Sequence, residues 1–143
     1  MLSNTCKYAI RAVVYLAVNE DNSKRIGIKK ISEDLDIPTP FLGKILQSLA
    51  RQKLLKSTKG PNGGFGLNGK AEALRLIDIV KVIDGNDIFE QCLISLRTCK
   101  DEEDYCPMHK SYVVIRSKIK AMFESQTVAD LAANYKTDQK ILL

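Results

Sequence analysis

The apolar residues Ala9, Ile10, Ala12, Val13, Val14, Leu16, Ala17 and Val18 nearly encircle a helix, so the pattern predicts one over 4–19 that is buried on most sides. Ser3 or Asn4 can cap it. After the polar run Glu20–Arg25, Ile28, Ile31 and Leu35 recur at helical spacing and predict a shorter helix over 28–35. Pro38 disfavours helical backbone in the residue before it, so this helix ends by Ile37. A third helix opens at Thr39-Pro40, with Thr39 the expected N-cap and Pro40 the first helical residue. Leu42, Ile45, Leu46 and Leu49 form its apolar stripe, leaving Phe41, Gly43, Lys44, Gln47, Ser48 and Arg51 away from it.

Two helices joined by the tight turn Asp36-Ile37-Pro38-Thr39 are a helix-turn-helix pattern. Residues 54–58 then predict a strand and 65–67 its return, around the turn-rich Lys59-Gly60-Pro61-Asn62-Gly63-Gly64. A hairpin after a helix-turn-helix is the layout of a winged helix. Residues 72–84 predict a further helix ending at Gly85. From Asn86 to Cys106 periodicity fails, and six acids stand against two bases. Tyr112, Ile115, Ile119, Met122 and Phe123 mark a long amphipathic helix, and Thr127 with Asp130 caps a last short one. Residues 137–143 read as a loose tail. The expected fold is mainly α: a winged helix-turn-helix over 1–85, a cysteine-containing loop over 86–107, and a dimerisation helix with a C-terminal helix and tail over 108–143.

Charge sharpens this picture. The 143 residues carry a net charge of +5, but residues 1–75 hold +7 and residues 76–143 hold −2. Between Asp36 and Glu72 every charge is positive: Lys44, Arg51, Lys53, Lys56, Lys59 and Lys70. Such a stretch suits a polyanion, and a solvated basic face is the plain alternative. No apolar run reaches membrane-spanning length and no signal-peptide cleavage pattern follows Val18, so a cytoplasmic protein is expected. In that compartment the four Cys are expected to stay reduced, which favours metal or redox use over a disulfide framework. No nucleotide loop, paired-acid motif or nucleophile–base pair is present. The glycine-rich 59–66 lies between strands rather than before a helix, so an enzyme is not expected.

Cys92, Cys99, Cys106 and His109, the chain's single His, fall within eighteen residues. Thiolates hold iron–sulfur clusters, and His can replace Cys at an iron. Cys106 and His109, three apart at a helix start, can face one point. Zinc in a protein-interaction adapter, a cluster-free thiol-switch regulator and three unligated small residues remain alternatives. Zinc is weakened by the lack of short Cys-x2–4-Cys pairs, and thiolates without a metal by the acids Asp101-Glu102-Glu103-Asp104. Cys6, in the first helix, reads as a packing residue.

Several stretches together resemble the Rrf2 family of winged-helix transcription regulators. They are Tyr8-Ala9-Ile10-Arg11-Ala12, then 37–46 (IPTPFLGKIL), then Gly60-Pro61-Asn62-Gly63-Gly64-Phe65-Gly66-Leu67 with the three downstream Cys, and Thr127-Val128-Ala129-Asp130-Leu131. The resemblance spans about 3–135 and implies a homodimer on a double-stranded DNA operator, paired through the long helix by Tyr112, Ile115, Ile119, Met122 and Phe123. A single small domain also has little room for that stripe. DNA contacts are expected from Thr39, Pro40, Phe41, Gly43, Lys44 and Gln47 of the recognition helix and from Lys59, Gly60, Pro61, Asn62 and Gly63 of the wing. Lys59 occupies the place of the family's wing Arg, keeping the charge without the planar fork. The resemblance also implies an iron–sulfur cluster on Cys92, Cys99, Cys106 and His109, with 2Fe-2S favoured over 4Fe-4S. The Asp that the family's nitric-oxide-sensitive repressors use as a ligand is replaced here by Lys7, which leaves His109 as the fourth ligand.

Overall fold

The computed structural model describes residues 2–19, 25–94 and 106–137. Cys99, the acidic run 101–104, loop residues 20–24 and the tail after 137 lie outside them. Helices α1 (Asn4–Val18), α2 (Ile28–Leu35) and α3 (Thr39–Arg51) are followed by strands β1 (Leu55–Thr58) and β2 (Gly64–Leu67). Then come α4 (Leu76–Ile83), α5 (His109–Ser125) and α6 (Val128–Thr137). A mainly helical chain with one antiparallel hairpin is thus what the hydrophobic pattern implied.

The α1 helix is the axle of the core. It packs against α2, α3, α4, α6 and β2, which is why apolar residues run almost all round it. Ser3 caps it, its hydroxyl accepting from the Cys6 N–H while its own N–H and O–H donate to Asp84 at the end of α4. The α3 stripe of Leu42, Ile45, Leu46 and Leu49 is buried as expected. Truncating any of these four to Ala costs about 2–5 kcal/mol at such sites.

Two local expectations are corrected. Pro38, not Thr39, occupies the N-cap of α3, so Pro40 is the second helical residue. The Thr39 hydroxyl lies 2.8 Å from Ser32 Oγ, which donates to the Ile37 carbonyl, so Thr39 stitches the turn instead of capping the helix. The helix expected over 72–84 is also broken. A 3-10 turn over Ala71–Ala73 precedes α4, and Leu74–Arg75 runs extended between them. Arg75 pairs there with Thr127: Leu76 N–H donates to Gln126 O and Val128 N–H to Leu74 O. These two bonds tie α4 to the start of α6, outweighing local helical propensity. The α6 cap matches the sequence reading, with Asp130 accepting from the Thr127 N–H and O–H while Thr127 Oγ1 accepts from the Asp130 N–H.

Candidate nucleic-acid interface and cysteine site

The turn between α2 and α3 is held by Asp36 in the left-handed region (φ 53°) and by buried Ile37. It presents α3 with Pro40, Phe41, Lys44, Gln47 and Arg51 exposed. Lys44 and Gln47 are long enough to reach base edges or phosphates in a major groove. Phe41 is 36% exposed and meets the Tyr8 ring edge-on at 5.7 Å, while the Arg11 guanidinium stacks on the other partner, Tyr8, at 5.6 Å. The N-terminus of α3 has few free N–H groups for a phosphate. Pro40 has no N–H, and the Phe41 and Leu42 N–H groups both donate to Pro38 O.

Glycines expected at the DNA face have internal reasons to be glycine. Gly43 lies where an added Cβ would meet Ile28 Cδ1 at 3.2 Å, so its bareness lets α2 approach α3. A Cβ on Gly63 would overlap Thr58 O, and the Gly63 N–H closes the wing tip on Gly60 O at 2.9 Å. Gly64, at φ 150°, would collide with Ile26 O. That contact is a single β-bridge, Ile26 with Phe65, which adds a third short edge to the hairpin. Sequence reasoning missed it because one residue pair carries no periodicity. Arg25, beside it, lays its guanidinium over Gly66. Lys59, Gly60, Pro61 and Asn62 form the exposed tip, as expected.

Of the four expected metal ligands, the described residues bring two together. Cys92 Sγ lies 3.7 Å from Cys106 Sγ, both half-buried. His109 starts α5, its N–H bonded to Cys106 O at 2.9 Å, so the two share one turn. Among the described residues no three His, Cys, Asp or Glu gather closely enough to hold a metal ion; Cys99 lies outside them. Cys6 is 0% exposed and plays no part here. Burial and then the neighbouring Asp84 push its thiol up to about 12, so it stays protonated.

The long helix does not present its stripe as one surface. Phe123 is 8% exposed and packs on Phe89 at 5.9 Å, and Ile119 leans on the same core. Tyr112 is half-buried beneath the Arg116 guanidinium. The apolar residues left in solvent are Val114, Ile115 and Met122, 52–55% exposed, with Met108 just before the helix. Within its own chain Phe123 is covered and Ile119 partly so, which leaves less of the expected stripe for a partner subunit. Val114 is an exposed apolar residue of this helix that lies off the expected stripe. Among the described residues no helix is long and apolar enough to cross a membrane.

Residues 2–134 match the family model Rrf2, described as an iron-dependent transcriptional regulator. A protein of Aquifex aeolicus named as an HTH-type transcriptional regulator is 31% identical over 132 residues, covering 92% of this chain and 90% of that protein. Among solved structures, CymR, the global cysteine regulator of B. subtilis, superposes with a TM-score of 0.79 at 23% identity, covering 94% of this chain and 97% of that one. IscR of T. potens superposes with a TM-score of 0.74 at 18% identity, covering 100% and 92%.

Proposed function

The chain belongs to the Rrf2 family of DNA-binding transcription regulators, and on that premise we propose that its affinity for an operator is set by an iron–sulfur cluster on Cys92, Cys99, Cys106 and His109. The observation that carries this reading is the approach of Cys92 and Cys106 to 3.7 Å. Two thiolates on one tetrahedral metal, each about 2.3 Å from it, stand about 3.8 Å apart. The pair thus has the spacing of two ligands of a single iron. His109, in the turn of Cys106, and Cys99 would supply the other two positions. Bound there, the group provides a one-electron, oxidant-sensitive centre. A 2Fe-2S cluster suits a four-ligand set drawn from one loop and one helix start.

The protein acts as a homodimer in this reading. Val114, Ile115 and Met122 give α5 an apolar strip that its own chain leaves bare, and a second copy of the helix would cover it. Each protomer then offers Lys44 and Gln47 to a major groove and Lys59 with Asn62 to the neighbouring backbone or minor groove. Binding of this kind weakens steeply with salt, because each neutralised phosphate releases counterions.

A second reading is favoured by the same sulfur pair. Thiols 3.7 Å apart need only a small rotation to reach the about 2.05 Å of a disulfide, which describes a cluster-free thiol switch. An anaerobic absorption spectrum with iron and sulfide analysis separates the two. Reddish-brown protein with iron and sulfide in equal amounts is expected. Colourless protein without iron overturns the cluster and leaves the thiol switch, and colourless protein with one zinc would instead point to an adapter-like metal site.

A further inference from the structure

A groove of about 340 Å³ opens at the base of the wing, on the end of the hairpin away from its tip. Its floor is apolar: Leu67 is buried, and Leu54, Leu74 and Val82 are half-buried. The exposed residues Lys53, Lys70 and Lys81 also line it. Among the described residues none of the three is in an ion pair. Asp78, which also lines the groove, accepts from the Arg75 N–H at the start of α4 and leaves a positive excess around an apolar floor. Lys53 holds a left-handed backbone (φ 61°) between α3 and β1, a conformation that side chains other than Gly and Asn rarely adopt.

We propose that this groove binds a small organic anion, a monocarboxylate with a short aliphatic body. The volume falls in the range of small-molecule sites. Leu54, Leu67, Leu74 and Val82 would bury the alkyl chain, and the carboxylate would take the charge-assisted contacts of the lysines. A neutral apolar ligand gains nothing from the three lysines, and an inorganic anion leaves the floor wet. A ligand here touches the residues that end α3, the base of the hairpin and α4 at once. It would therefore favour one placement of the wing against the recognition helix. The site is separate from the cysteines, so its test does not depend on a cluster.

The test is a titration of the 15N-labelled full chain with hexanoate, 1-hexanol and acetate, read from the amide signals of Leu54, Asn68 and Gly69. Hexanoate should give saturable shifts with a millimolar dissociation constant, as expected for a ligand of about eight heavy atoms. Hexanol should bind about tenfold more weakly for want of the charged contact, and acetate should not saturate. Lys70→Gln should weaken hexanoate about fivefold with an unchanged melting temperature. Val82→Trp should fill the groove and abolish binding; Lys81→Gln serves in its place should that variant not fold. No saturable shift with hexanoate overturns the proposal, as does equal binding of hexanol and hexanoate. Loss of operator affinity in Lys70→Gln, with no hexanoate binding to the unaltered chain, would reassign the lysines to DNA phosphates and overturn it too.

Discussion

The thiols of Cys92 and Cys106 stand 3.7 Å apart although they lie fourteen positions apart in the chain. One follows the 3-10 turn Asn86–Phe89 beyond α4, and the other immediately precedes α5, so the pair clasps the two ends of the cysteine segment. Cys92→Ser and Cys106→Ser should each abolish visible absorption in anaerobically prepared protein, because each would remove a thiolate from the proposed ligand set. Cys6→Ser should leave the spectrum intact, since that thiol is buried and bonded into the α1–α4 contact. A spectrum that survives either Cys92→Ser or Cys106→Ser would remove that residue from the ligand set.

Gly64 and Lys59 should separate the wing's architecture from its chemistry. Gly64→Ala drives a Cβ into Ile26 O at a strained φ and should cost about 1–3 kcal/mol in urea denaturation. Lys59→Ala should leave stability within about 0.5 kcal/mol, as is usual for exposed positions. It should lower the slope of log affinity against log salt by about 1, one phosphate contact.

Ile115 and Phe123 lie on the same helix and should behave oppositely. Ile115, 54% exposed, should on replacement by Asp give a monomer in sedimentation with little loss of fold. Phe123→Ala should cost about 3–5 kcal/mol, the range for a buried aromatic, with the subunit mass in sedimentation unchanged under native conditions. A dimeric Ile115→Asp would take α5 out of the interface.

Stability should fall on the alkaline side. Burial and Asp84 raise the Cys6 thiol from 9.0 to about 12, and burial with the Asp34 hydrogen bond raises the Tyr15 phenol from 10.0. In both cases the unfolded chain ionises first. Their contribution is complete below pH 9 and is lost as pH rises from there towards the folded values. Chemical denaturation at pH 8 and pH 10.5 should show the decline, and Cys6→Ala should flatten part of it.

Much of this molecule is legible in its sequence because most of its elements are amphipathic and punctuated. Pro38, Gly85 and the Thr127–Asp130 pair mark ends that the chain observes closely. The 72–84 helix misled because Leu74 and Arg75 have helical propensity but are claimed by backbone bonds to 126–128, a partner fifty residues away with no local signature. The helix over 109–125 shows a different limit: apolar spacing shows that Phe123 needs cover, but not that Phe89 of the same chain provides it. The sequence does not show that Gly43 and Gly63 also have close spatial neighbours, Ile28 and Thr58, that leave no room for a Cβ. The cysteine spacing pointed to a metal or redox site, and the structure adds which two thiols meet.

The most direct measurement is operator affinity of anaerobically prepared, cluster-loaded protein against apo protein, at one salt concentration and pH. The cysteine segment joins α4 to α5, so a cluster held there should bias how the DNA-reading heads of the proposed dimer are held. Affinities should then differ by about 5–150-fold, the range of ordinary coupling between sites. Equal affinities would contradict a sensing role and leave the cysteine pair as a staple between α4 and α5.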